Sequence, residues 1–330
     1  MKTFQKRSRL LLVTLGIAAA AVLALLFSLP YLLLWEQKYE STPAPEPFPV
    51  SVDPATKTIT EDPTIESMLS SPPELTGAVG NARNALSDIA AAIITSPWYQ
   101  MFAASDIRAV VVDPGFRKEE VAGAFASSLD WNVSERKTFL AATTAPELTE
   151  GEFSPGTYVV AAGTNPVAAK AAVDDRFQNE VLSHYGTSTA DIVPLPEALT
   201  IASMIERETS DWQEMREISG IIWNRLFQGM NLQIDATVQY AKANNPAVKT
   251  WWPPLTSNDK YIKSPYNTYL NAGLPPGPIS NPSVAAVIAA LNPVKTSCLF
   301  YFHDQSGGFH CSDTYAEHVA LLKQYYGQGK

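Results

Sequence analysis

Two carboxylates, Glu206 and Glu208, close an otherwise apolar stretch, Leu199-Thr-Ile-Ala-Ser-Met-Ile-Glu206-Arg-Glu208-Thr209. A carboxyl group set against apolar neighbours has its charged form disfavoured, so its pKa rises, as a general acid working near neutral pH requires. On a helix, residues two apart point about 200° away from each other, so the pair cannot act as a close dyad. Glu206 follows Ala202 and Leu199 at helical spacing, and Glu208 follows Met204 and Ile201. Periodicity therefore does not choose between them, and an ordinary solvated helix end stays open as a reading.

Three later clusters, Asn224-Arg225, Gln233-Ile-Asp235-Ala-Thr237 and Tyr266-Asn267-Thr-Tyr269, add amide, carboxylate, hydroxyl and phenol groups of the type that lines a sugar-binding cleft. Each also has a purely structural reading. Asp235 is a good N-cap, Asn224 can bond backbone, and the tyrosines with Asn267 can form a buried turn network. Glu317 sits in Thr314-x-x-Glu317, the pattern of a capping box. The four histidines, His184, His303, His310 and His318, lack metal-ligand spacing, so neither a metal nor a cofactor is expected.

The elements that must position these groups are legible as an α+β pattern. Arg108 to Asp113 reads as a strand, Pro114-Gly115 as a turn and Lys118 to Leu129 as an amphipathic helix. Thr157 onward reads as strand, and Asn165-Pro166 opens a helix towards Leu182. The helix bearing Glu206 follows Pro194 and Pro196; another runs from about Trp212 to Gln228 and ends at Gly229. Asn281-Pro282 is expected to cap a third, and Ser297 to Ser312 to form a hairpin before a final helix from Thr314.

Residues Leu10 to Leu29 are an uncharged apolar run, long enough to span a bilayer. Lys2, Lys6, Arg7 and Arg9 precede it, which places the N-terminus in the cytoplasm. The run exceeds a usual signal-peptide core and no clear cleavage site follows it, which favours an uncleaved single-pass anchor in the cell membrane. The chain has net charge −9, and the basic tail makes the exterior part more acidic still, which argues against nucleic acid as a partner.

The same motifs carry a family resemblance. Ala202-Ser-Met-Ile-Glu206-Arg-Glu208, Asn224-Arg-Leu through Gln233-Ile-Asp235-Ala-Thr237, Tyr266-Asn-Thr-Tyr269 through Gly273-Leu-Pro-Pro-Gly-Pro-Ile279, and Thr314-Tyr-Ala-Glu317-His318 resemble, in order, runs of the YceG-like family. Its members are membrane-anchored endolytic murein transglycosylases. The resemblance implies that Glu206 is the catalytic acid and base, cutting nascent peptidoglycan glycan strands to leave 1,6-anhydro-muramic ends. It implies that Asn224, Gln233, Asp235, Thr237, Tyr266, Asn267, Tyr269 and Glu317 serve the cleft, and that cell-wall synthesis proteins are a further class of partner. A non-catalytic scaffold of the same fold, and a hydrolase using Glu206 with Asp235, are the alternatives.

Aligned from Thr314, Phe309 takes the place of a family histidine, and His310 falls on the opposite strand face. In that alignment Cys298 and Cys311 face each other on the hairpin arms and are expected to form a disulfide. The implied organisation is a cytoplasmic tail (1–9), an anchor (10–35), a Pro-rich extracytoplasmic spacer (36–80) and a helical segment of unassigned role (81–105). A LysM-like strand-turn-helix subdomain (106–149) and a mixed α+β catalytic domain (150–330) complete it.

Overall fold

The computed structural model describes residues 46–70 and 107–327 apart from 142, together with the isolated positions 16, 17, 20, 24, 28, 92 and 96. The expected anchor and the helical segment at 81–105 lie almost wholly outside the described residues. Among those described, no helix is long and apolar enough to cross a membrane.

Two cores organise the α+β fold. The smaller is built on β3 (Ile107–Val112), which pairs antiparallel with β4 (Gly156–Ala161), Val110 opposite Tyr158. Helices α2 (Lys118–Leu129), α3 (Val133–Leu140) and the first half of α4 (Pro166–Glu180) cover one face. Phe125, Phe139, Phe153 and Tyr158 meet there, with ring centroids 5.2–5.6 Å apart. This corrects the expected division at 149/150. A lone strand has no ladder partner, so β3 cannot stand without β4, which lies beyond that division. The unit instead ends within α4, whose Ala169 and Val173 join the small core while Phe177 joins the large one.

The larger core is helical. After the short α5 (Thr187–Ile192), every residue of α6 (Leu195–Glu208) from Ala198 to Ile205 is buried, because α7 (Trp212–Phe227) and α9 (Val284–Leu291) pack on it. Gly220 of α7 lets the chain just after α9 come close: a Cβ there would lie 2.3 Å from the Val294 carbonyl oxygen. Between these helices come α8 (Asp235–Ala243) and a long loop; beyond α9, β5 (Phe300–His303) and β6 (Phe309–Ser312) form the hairpin, followed by α10 (Tyr315–Tyr326). A disulfide joins Cys298 to Cys311, with Cα atoms 5.8 Å apart.

The expected spacer also needs correction. Its described part contains the ribbon β1 (Val52–Asp53) and β2 (Thr58–Ile59), then α1 (Pro63–Met68). Phe48, Val52 and Leu69 are buried in the large core. Buried Arg216 of α7 bonds Glu66 at 2.6 Å, and Trp212 Nε1 donates to the Leu69 carbonyl at 2.8 Å. Backbone bonds from Phe48 to His184 and from Ser51 to Leu291 complete the attachment. The segment is held by a few anchors and by main-chain bonds, neither of which leaves a periodic trace.

A third correction concerns the start of α9. Its N-cap is Ser283, whose Oγ accepts from Ala286 N–H at 3.2 Å. Asn281 is fully buried instead and ties the two cores together. Its Oδ1 accepts from Gly151 and Phe153 N–H, both at 2.9 Å, while its Nδ2 donates to the Phe116 carbonyl and to Glu150.

Candidate active site

The C-terminal end of α6 opens into a cleft of about 460 Å³, lined by Glu206 to Ser210, Glu214, His303 and Gly307. Eight consecutive buried residues fix the helix, so the carboxylates at its end are placed by the whole large core. Glu206 and Glu208 diverge as the helical spacing requires. Glu206 turns to the N-terminus of α9, where its Oε2 accepts from Ser283 N–H at 2.9 Å and from Ser283 Oγ–H at 2.6 Å. Among the described residues nothing bonds its Oε1. Burial raises the Glu206 pKa above the ordinary carboxylate value, against the Ser283 bonds and the nearby Arg207.

Glu208 turns to the hairpin. Burial pushes it up to about 7, opposed by the Tyr301 hydroxyl beside it and reinforced by the charge of Asp235. His303, also on β5, meets Glu214 across the cleft at 3.1 Å, and Glu214 accepts from Thr209 Oγ1 at 2.7 Å. The disulfide-closed hairpin thus forms one wall. The small unit backs the acid-bearing helix end: the Pro114-Gly115 turn abuts α6, and Gly115, with φ +79°, has Arg207 and Glu206 against it where a Cβ would stand. Its backbone is pinned there by a bond from Gly115 N–H to the Asn281 carbonyl at 2.9 Å.

The residues expected in the cleft divide into two groups. Asp235 and Tyr269 stay near it, joined by the Tyr269 hydroxyl donating to Asp235 at 2.7 Å. Gln233 holds a left-handed backbone, φ +55°, and exposes its side chain. Tyr266 is half-buried, its ring 4.7 Å from that of Tyr240. The others bond within the scaffold. Thr237 is fully buried and bonds the Ile234 carbonyl and Thr268. Asn267, equally buried, donates to the Lys260 and Ile262 carbonyls. Asn224 donates to the carbonyls of Thr296 and Cys298, holding the entry to the hairpin.

Glu317 is exposed and closes a capping box with Thr314 at the start of α10. His310 bonds Asp304 at 2.8 Å and packs on Tyr325, away from the cleft-lining His303. Sequence reasoning missed Ser283, Arg207, Glu214, Tyr301 and His303. Ser283 lies 77 residues from its partner, and no local pattern connects them. Among the described residues no group of His, Cys, Asp and Glu is arranged to hold a metal ion.

The model of the YceG-like family matches residues 82–324, most of the chain. The protein belongs to that family. It is 36% identical over 133 residues to an endolytic murein transglycosylase of Bacillus subtilis strain 168, a match covering 40% of this chain and 35% of that protein. It is 30% identical over 159 residues to one from Streptococcus pneumoniae strain D39, covering 48% of this chain and 29% of that protein. The matches therefore span about a third of the curated relatives' length. A crystal structure of a putative YceG-like protein from Listeria monocytogenes superposes with a TM-score of 0.55 at 25% identity, covering 64% of this chain and 75% of that one.

Proposed function

We propose that the protein is a lytic transglycosylase that cuts peptidoglycan strands internally, between N-acetylmuramic acid and N-acetylglucosamine. The observation that carries this reading is the state of Glu206. It ends a rigid buried helix, lines an open cleft, is held through one oxygen only, and has its pKa raised by burial. Such a group is suited to act through Oε1 as an acid towards the leaving glycosidic oxygen. It then removes the proton of the muramic 6-hydroxyl, whose oxygen closes the 1,6-anhydro ring. Water does not attack, so the second carboxylate of ordinary glycosidases, placed for water or for covalent attack, is not required. The relatives from Bacillus and Streptococcus, both endolytic murein transglycosylases, support this substrate.

The apolar run at residues 10–35, with its basic N-terminal flank, would hold the enzyme at the outer face of the cytoplasmic membrane, against nascent strands. The test of the chemistry is mass spectrometry of strands treated with the detergent-solubilised full chain, beside its Glu206→Gln variant. New internal ends bearing 1,6-anhydro-muramic acid are expected, with at least a hundredfold loss in the variant. Reducing ends in their place would indicate hydrolysis, and no cleavage by either protein would leave a scaffold of the same fold. Extraction of the protein from membranes by alkaline carbonate would refute the anchor.

A further inference from the structure

Arg207 lines the cleft beside Glu206, yet among the described residues its guanidinium forms no hydrogen bond and no ion pair. Its Nε is buried without a partner. The group is nonetheless fixed: it lies 3.9 Å over the ring of Trp252, and the Gly115 turn backs it, an ideal Cβ at that glycine standing only 3.1 Å from Nη1. Trp252 is itself tied down, its Nε1 donating to Glu120 at 3.0 Å. The carboxylates of Glu120, Glu206 and Glu208 act on Arg207 through space without bonding it. Every other guanidinium in the large core answers to a protein acceptor: Arg216 to Glu66 and the Asn292 carbonyl, Arg225 to the carbonyls of Leu299, Asn231 and Leu232.

A buried donor without a partner in a native site calls for a reason, and a stacked planar fork on a residue that lines a cleft is suited to take a carboxylate or carbonyl oxygen. On the proposed transglycosylase reading, the sugar whose bond Glu206 protonates carries a lactyl ether that N-acetylglucosamine lacks. We infer that Arg207 is the specificity residue for muramic acid, receiving an acceptor oxygen of the lactyl group or of the peptide attached to it. The backing Gly115 and the facing Trp252 hold the guanidinium in place, so the small unit shapes recognition by supporting a residue of the large one.

Binding tests this without cleavage. The full chain carrying Glu206→Gln, alone or with Arg207→Gln or Arg207→Lys, would be titrated calorimetrically with three glycans of equal length. These are strands bearing stem peptides, strands stripped to the free lactyl carboxylate, and chitooligosaccharide. The single variant is expected to bind muramic strands about tenfold more tightly than chitooligosaccharide, the increment of one charge-assisted bond. Arg207→Gln is expected to erase that preference and Arg207→Lys to keep part of it, with thermal melts confirming that both remain folded. Preference for both muramic strands assigns the lactyl oxygens; preference for the peptide-bearing strand alone assigns the peptide. The inference is overturned by equal binding of all three glycans by the single variant, by no binding at all, by a preference that survives Arg207→Gln, or by an equal loss on every glycan. Formation of anhydro ends by the unmutated enzyme is scored separately, so the reaction and the recognition can fail independently.

Discussion

Glu206 is set by a balance between burial, which raises its pKa, and the two Ser283 bonds, which lower it. Removing the Oγ bond destabilises the charged form, so the sign is upward. Ser283→Ala should move the limb of the pH–rate profile that reports Glu206 to higher pH and lower cleavage about tenfold, read from kcat/KM against pH. The same substitution removes the α9 cap, so the melting free energy should fall by about 1 kcal/mol. Glu150 shows the opposite use of a carboxyl. It is buried where the two cores meet, its Oε1 accepting from Lys118 N–H and Asn281 Nδ2, and burial pushes its pKa to about 8. Between the ordinary value near 4.5 and about 8, the folded state holds this proton and the unfolded state does not. The group therefore makes stability fall as pH rises through that window. Glu150→Gln keeps an acceptor and removes the ionisation, so denaturant melts should show the variant gaining on the parent from pH 5 to pH 8, by about 1–3 kcal/mol at the upper end. At this scale the candidate acid was legible, because a carboxylate after an apolar helical run is visible in the order of residues. Its partner was not: nothing local to Ser283 records that it meets Glu206.

The hairpin is the element that brings Tyr301 and His303 to the cleft, and it is closed covalently by Cys298 and Cys311 at a separation of 13 residues. A loop of that size contributes about 3 kcal/mol by restricting the unfolded chain. Cys298→Ser with Cys311→Ser should lower stability by about 2–4 kcal/mol and make the melting temperature indifferent to dithiothreitol, whereas the parent should lose stability when reduced. Helix limits were legible where a residue is suited to cap by itself: Asn165 before α4 and Thr314 before α10 through their side chains, and Gly229 after α7 through its left-handed backbone, φ +66°. They were misread at α9, where Asn281-Pro282 has the composition of a cap but Asn281 is drawn into the junction of the two cores. Cap-forming residues also serve tertiary ties, and composition does not separate the two uses.

For the whole molecule, the attachment of residues 46–70 has a direct test. With Phe48, Val52 and Leu69 buried and Glu66 bonded to Arg216, a chain beginning at residue 71 should melt well below one beginning at residue 46, by more than 5 °C in differential scanning fluorimetry, because it uncovers core and strands a buried guanidinium. Local order alone determined the α+β class, the identity of most helices, the acid-bearing helix end and the family motifs, since periodicity, caps and turn residues act over a few positions. Only the tertiary structure decided that the strand-turn-helix unit needs β4 and abuts the acid-bearing helix, that residues 46–70 join the large core, and which backbone groups Thr237, Asn267 and Asn224 bond. The physical reason is that burial and hydrogen-bond partnership are properties of residues far apart in the chain, such as Glu206 with Ser283, Asn281 with Phe153 and Glu66 with Arg216, and the folded core alone brings them within bonding distance.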